Sequence, residues 1–142
     1  KTGYCLAPEN LMNEFRKVHQ FQVFSVNTPI QYALTDYLAE AANYSGISTF
    51  YQQKRDLFLS LIKKSRFKPL TCAGSYFQLL DYSKISEEKD TDFAIRLTKE
   101  YGVASIPISV FYKNPVESKI LRFCFAKDQK TLEQAANKLC KI

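Results

Sequence analysis

The chain holds a single histidine, His19, and its four cysteines, Cys5, Cys72, Cys124 and Cys140, stand far apart with no C-x-x-C pair among them. That scarcity removes histidine-rich metal sites, zinc ribbons and dithiol redox motifs, so no metal is expected. It also leaves His19 as the one candidate base for a Ser-His or Cys-His nucleophile pair, although an ordinary helical histidine is the simpler reading. The cysteines read as reduced, mostly buried thiols of a cytoplasmic protein. No apolar run is long enough to span a bilayer and no signal sequence opens the chain, which predicts a soluble protein with no membrane partner.

A basic tract is missing too. Lysine and arginine number 20 against 14 acidic residues, a formal charge of +6, but they are scattered in ones and twos. The densest knot, Lys63-Lys64 with Arg66, falls where a helix should end and complements its dipole. With RNA- and DNA-binding signatures absent as well, no nucleic-acid partner is expected. What is present, 142 residues of which 46% are hydrophobic and 24% charged, suffices for a globular domain with a real core. The chain opens Lys1-Thr2-Gly3-Tyr4 without an initiator methionine, inside what reads as a short strand running into a turn, as a piece cut from a longer protein would.

Pro8 then suits a first helical turn, and Leu11, Phe15 and Val18 mark one face of a helix through about Gln20. Residues 21–26 alternate apolar and polar, and Asn27-Thr28-Pro29 supplies a cap and a proline for a second helix with Ile30, Ala33, Leu34, Tyr37, Leu38 and Ala41 on one side. Gly46 breaks the pattern. Thr49 and Gln52, three apart like a capping box, precede a long amphipathic helix that turns Phe50, Leu57, Phe58, Leu61 and Ile62 inward.

From Phe67 the texture becomes strand-like. Two runs, 67–72 and 76–82, are joined by Ala73-Gly74-Ser75 as a hairpin, and a helix with Phe93, Ile95, Leu97 and Tyr101 follows and stops at Gly102. Residues 103–112 suit an edge or irregular strand because Pro107 lies inside them, and 113–118 form a loop. A strand over 119–126 leads into a last helix that Asp128 caps and that buries Leu132, Ala135, Ala136 and Leu139. This order implies a small α/β layer with helices packed on a sheet.

One residue in that last strand asks for a function. Alternation puts Leu121, Phe123 and Phe125 on one face and Ile120, Arg122 and Cys124 on the other, so Arg122 is a cation among apolar neighbours. A guanidinium keeps its proton and must satisfy five donors. A salt bridge to one of the chain's own acids, a stem snorkelling outward, and a bidentate clamp for a small carboxylate all meet that demand, and the pattern does not choose between them.

Several stretches taken together resemble one family: Thr2-Gly3-Tyr4-Cys5-Leu6-Ala7-Pro8, Arg16-Lys17-Val18-His19-Gln20, Gly74-Ser75-Tyr76-Phe77, Ile106-Pro107-Ile108-Ser109-Val110-Phe111 and Leu121-Arg122-Phe123-Cys124-Phe125-Ala126-Lys127. In this order, over essentially the whole chain, they look like fold-type-I aminotransferases of class I/II, in the methionine and kynurenine aminotransferase branch. The resemblance implies an α/β C-terminal part of such an enzyme: residues 1–47 as the remnant of the large pyridoxal-phosphate-binding domain, 48–66 as a bridging helix and 67–142 as the small domain. It implies pyridoxal 5'-phosphate as cofactor, an amino acid and a 2-oxo acid as substrates, and a homodimer.

It also implies roles for residues. Arg122 matches the arginine that binds the substrate's α-carboxylate, and Lys1 the basic residue that binds the cofactor's phosphate, the alternative being a mobile chain end. Phe24 and Ser25 match the pair that reaches into the neighbouring subunit's substrate pocket, the alternative for Phe24 being a core position. Kynurenine-preferring relatives usually carry histidine where Ser25 stands, so the resemblance leans toward methionine and other unbranched or aromatic donors. No catalytic residue is assigned within the chain, because the family's Schiff-base lysine matches a position upstream of Lys1. A fragment of this extent is expected to be inactive by itself, not to retain the cofactor, and to expose apolar surface on residues 1–46. The alternative function is a stand-alone binding or assembly domain without catalysis.

Overall fold

The computed structural model describes residues 1–114 and 118–142 and divides into two units, Lys1–Gly46 and Ile47–Ile142. The first unit is helical: α1 (Glu9–Gln22), α2 (Thr28–Ala39) and the single turn α3 (Ala42–Ser45). Residues 1–8 have no regular structure, because among the described residues no strand pairs with them. The expected strand is absent for that reason. The alternation over 21–26 is not a strand either; α1 runs on through Gln22 and closes with Val23 and Phe24 both donating to the His19 carbonyl.

Asn27 caps α2 as its sequence predicts, its side-chain oxygen accepting from the Ile30 N–H at 3.2 Å, with proline in the first turn. The apolar stripe on α2 is not buried within the chain, and neither is the one on α1. Leu11, Phe15, Val18, Ile30, Leu34, Tyr37 and Leu38 are all exposed.

The second unit opens with α4 (Ile47–Leu61), which begins ahead of the Thr49–Gln52 pair read as its cap. Gly46 keeps a right-handed conformation, so the chain does not stop there and Thr49 lies inside the helix. Phe58 and Ile62 are buried as expected, Leu57 and Leu61 pack partly, and Phe50, in the first turn, is exposed.

Strands β1 (Lys68–Pro69), β2 (Phe77–Asp81), β3 (Ile106–Pro107) and β4 (Ile120–Cys124) form an antiparallel sheet in the order β1-β2-β4-β3. Pro107 therefore sits on an edge strand, where its missing N–H costs no ladder bond. Beyond it the predicted strand turns into a 3-10 turn, Ser109–Phe111. The hairpin between 72 and 77 forms, but the left-handed residue in it is Ser75 (φ 78°) and not Gly74. The loop read over 113–118 lies in its middle outside the described residues.

Helices α5 (Asp90–Tyr101) and α6 (Gln129–Leu139) complete the unit. Gly102 closes α5 in the left-handed conformation (φ 62°), its N–H bonding back to Leu97 and Thr98, which is the geometry glycine tolerates without a Cβ clash. Asp128 caps α6 by accepting from the Thr131 N–H at 2.8 Å. One core joins the inner face of the sheet, Leu80, Tyr82, Leu121, Phe123 and Phe125, to Phe58 and Ile62 of the α4 segment, Phe93 and Leu97 of α5, and Leu132, Ala136 and Leu139 of α6. Ile95 points away from it and is exposed, since the buried stripe of α5 is Phe93, Ala94 and Leu97. The thiols are free, as expected, but none is buried: Cys5 and Cys124 are exposed and Cys72 and Cys140 half-buried. Cys124 is exposed because it shares the outer face of β4 with Arg122.

Candidate functional site

The outer face of the sheet carries the site. In register, Arg122 of β4 lies opposite Leu79 of β2 and Ile106 of β3, with Phe77 one pleat along β2. All are apolar, so the guanidinium emerges from a hydrocarbon floor, as the alternation predicts. The centre of the guanidinium lies 4.7 Å from the Phe77 ring centroid and 5.2 Å from that of Phe111. Two π faces thereby hold the cation, an arrangement suited to a planar, weakly hydrated guanidinium.

No carboxylate among the described residues lies within ion-pair distance of Arg122, and none accepts a hydrogen bond from it. Arg96, in contrast, donates to Glu88 at 2.6 Å and 2.9 Å. The internal salt bridge that the sequence left open for Arg122 is thus not formed among these residues. The side chain is half-buried and borders a cleft of about 260 Å³ lined also by Tyr76, Phe77, Ser105, Ile106, Cys124 and Lys127. A cation fixed by two rings, with its fork unmatched and a cleft beside it, has the chemistry to take a small carboxylate from solvent.

Phe111 rises from the 3-10 turn Ser109–Phe111, and that turn is tied to α5. The buried carboxylate of Asp90 accepts from the Ser109 N–H at 2.8 Å and from the Ser109 hydroxyl at 2.7 Å. Sequence reasoning missed Phe77, Phe111 and Asp90 as parts of this site. Phe77 and Phe111 do occur in the motif stretches that carried the family resemblance; Asp90 carried no signal of its own.

Ahead of α5, the Glu88 carboxyl is held below its ordinary range by the Ser86 hydroxyl first and by Arg96 second, and its hydrogen bond in turn raises the Arg96 guanidinium. Among the described residues no cluster of three or more potential metal ligands occurs, and no helix is long and apolar enough to cross a membrane.

Lys1, Phe24 and Ser25 lie in the first unit. Lys1 is exposed and unpaired with any described carboxylate. Phe24 is 86% exposed within this chain, and its backbone takes φ 65°, a left-handed conformation that costs a non-glycine residue about 1 kcal/mol or more. Ser25 follows with its hydroxyl on the Val26 carbonyl at 3.3 Å. His19 stacks on Phe15 with ring centroids 5.6 Å apart, the ordinary helical histidine of the simpler reading.

The family model for aminotransferase class I and II matches residues 1–139. Methionine aminotransferase of Escherichia coli (strain K12) is 49% identical over 140 residues, 98% of this chain and 36% of that protein. The kynurenine–oxoglutarate transaminase of Dictyostelium discoideum is 34% identical over 100% of this chain and 38% of its own length. Among solved structures, the YbdL protein of Escherichia coli, reported with a methionine aminotransferase function, superimposes with a TM-score of 0.90 at 48% identity, covering 99% of this chain and 37% of that one. N-succinyldiaminopimelate aminotransferase of Mycobacterium tuberculosis gives 0.84 at 26% identity over 94% and 35% of the two chains. The chain thus spans little more than a third of the relatives it matches, and it has the α/β fold of their corresponding part. With a family match over residues 1–139 and a 49% identical relative, the chain belongs to the aminotransferase class I and II family.

Proposed function

We infer that this chain is the C-terminal part of a homodimeric, cytoplasmic, pyridoxal-phosphate-dependent transaminase that moves an amino group from methionine or a similar unbranched or aromatic amino acid to a 2-oxo acid. The observation that carries the reading is Arg122, held between Phe77 and Phe111 with no carboxylate of the described chain to pair with. Its fork binds the α-carboxylate through two parallel N–H···O bonds, which fixes the direction of the donor's Cα–H bond as well as its position. The apolar floor of Phe77, Leu79 and Ile106 keeps water from competing for those bonds.

Pyridoxal phosphate, when bound, supplies the electron sink for removal of the Cα proton. The chemistry of Lys1 fits the cofactor's phosphate: an exposed ammonium with no competing carboxylate among the described residues serves a phosphate as a point charge. Phe24 and Ser25 serve the neighbouring subunit's substrate pocket, a reading supported by the exposed ring and by the strained backbone under it. The domains are residues 1–47 of the large domain, the bridging helix 48–66 and the small domain 67–142. The exposed stripes of α1 and α2 are what the remainder of the large domain would cover, and this favours the enzyme reading over a stand-alone binding module. No residue of this chain takes the catalytic lysine's part, so the segment alone is inactive and does not retain the cofactor.

The test is Arg122→Ala in the whole enzyme that contains this segment. KM for the amino donor rises about 100-fold, as does the Kd of an unreactive carboxylic acid of the same skeleton. An unchanged KM and Kd in that variant would end the carboxylate-clamp assignment.

A further inference from the structure

Asp90 and Ser109 stand 19 residues apart, and their double hydrogen bond lies outside the contacts of Arg122 itself. Asp90 is only 6% exposed, and no lysine or arginine among the described residues pairs with it. A buried carboxylate without a cation is a costly way to link two segments; the first turn of α5, whose dipole favours an acid, and the two Ser109 donors offset that cost. Ser109 is the first residue of the 3-10 turn and Phe111 the last, with the Phe111 N–H bonded to Ile108 and the Tyr112 N–H to Ser109, both at 3.1 Å. The Phe111 ring is 59% exposed, so packing does little to fix it. Its place over Arg122 depends on the backbone that bears it, and that backbone is anchored at Ser109.

Building on the carboxylate-clamp reading of Arg122, we propose that Asp90 and Ser109 are positioning residues for the substrate's carboxylate. By locking the 3-10 turn, they hold the Phe111 ring against the guanidinium and so keep the fork in the plane that receives the ligand. Loss of the lock leaves Arg122 attached to Phe77 alone and free to swing on a long, rotamer-rich stem, so affinity falls while the chemistry of the bound donor does not.

The experiment uses the whole holoenzyme and the probe 4-(methylthio)butanoate, a carboxylic acid that lacks the amino group, titrated by calorimetry beside donor kinetics. In Asp90→Asn and in the double variant the probe's Kd and the donor's KM rise about ten-fold, in Ser109→Ala, which keeps the N–H bond to Asp90, they rise about three-fold, kcat stays within about two-fold throughout, and Ser109→Thr, which keeps the hydroxyl, binds as the parent does. Phe111→Ala gives the same change as Asp90→Asn, and Asp90→Asn adds nothing to it. Should Asp90→Asn fold poorly, Ser109→Ala alone carries the test. A lowered Tm with unchanged Kd in these variants, while Arg122→Ala still weakens the probe, overturns the positioning role and leaves the clamp standing. Unchanged binding in Arg122→Ala overturns both.

Discussion

The guanidinium of Arg122 and the ring of Phe77 lie 4.7 Å apart on the outer face of the sheet, held there by the register that pairs Phe77 with Cys124 and Leu79 with Arg122. The contact belongs to two rigid central strands, unlike the Phe111 contact, which belongs to a surface turn. Replacing Phe77 by Leu keeps the hydrocarbon floor and removes the π face. Binding of a carboxylic acid then weakens several-fold, on the order of 1 kcal/mol, as calorimetry on the whole enzyme would show. No change in Kd would mean that the ring serves packing only.

Phe24 separates stability from function. Phe24→Gly relieves the left-handed backbone at the end of α1 and stabilises the fold by about 1 kcal/mol in denaturant titration, while the loss of the exposed ring raises KM for the donor. A destabilised variant, or one of unaltered KM, contradicts the respective half of this expectation.

Ser25→His tests donor choice. If Ser25 faces the donor's side chain as proposed, the substitution is expected to raise kcat/KM for kynurenine relative to methionine, measured as a ratio on the same preparation. A ratio that stays put removes Ser25 from the specificity determinants.

Acid stability follows from Glu88. Its carboxyl is held below the ordinary range by Ser86 and then Arg96, so the folded state binds fewer protons than the unfolded one. The stabilisation is fully present above the unfolded value, about pH 4.3, and is lost as pH falls through the lower folded value. Glu88→Gln should therefore lower stability at neutral pH and flatten its decline below about pH 4.3. A parallel decline in the two proteins would count against this pair as the cause.

Leu121→Ala measures the core beneath the site. Leu121 is fully buried directly beside Arg122 in the strand, and truncation costs about 3 kcal/mol through lost burial and a residual cavity. Unfolding midpoints in guanidinium would report a loss near this size; a loss below about 1 kcal/mol would mean the sheet collapses into the space.

Much of this architecture was legible in the chain because it rests on local rules. The period-two pattern of 121–125 put Arg122 opposite the core, Asp128 announced α6, Asn27 announced α2 and Gly102 ended α5, each through a side chain acting within a turn of its own position. Where local signals competed, the reading failed: Thr49 resembled a cap, yet Gly46 let the helix start earlier, and the alternation over 21–26 gave way to continued helix. The family was likewise readable in the ordered motifs.

What the sequence by itself determined is which face of β4 Arg122 occupies and that a guanidinium there must find partners for its five donors. Only the tertiary structure decided that no described carboxylate answers it, that Phe77 and Phe111 flank it, and that Asp90 anchors the turn beneath Phe111 through Ser109. The physical reason is range. Alternation and capping are set by neighbours along the chain, whereas an ion pair formed or withheld, a ring placed on a cation and a carboxylate buried against a distant amide depend on segments that meet only when the sheet and its helices close on their common core.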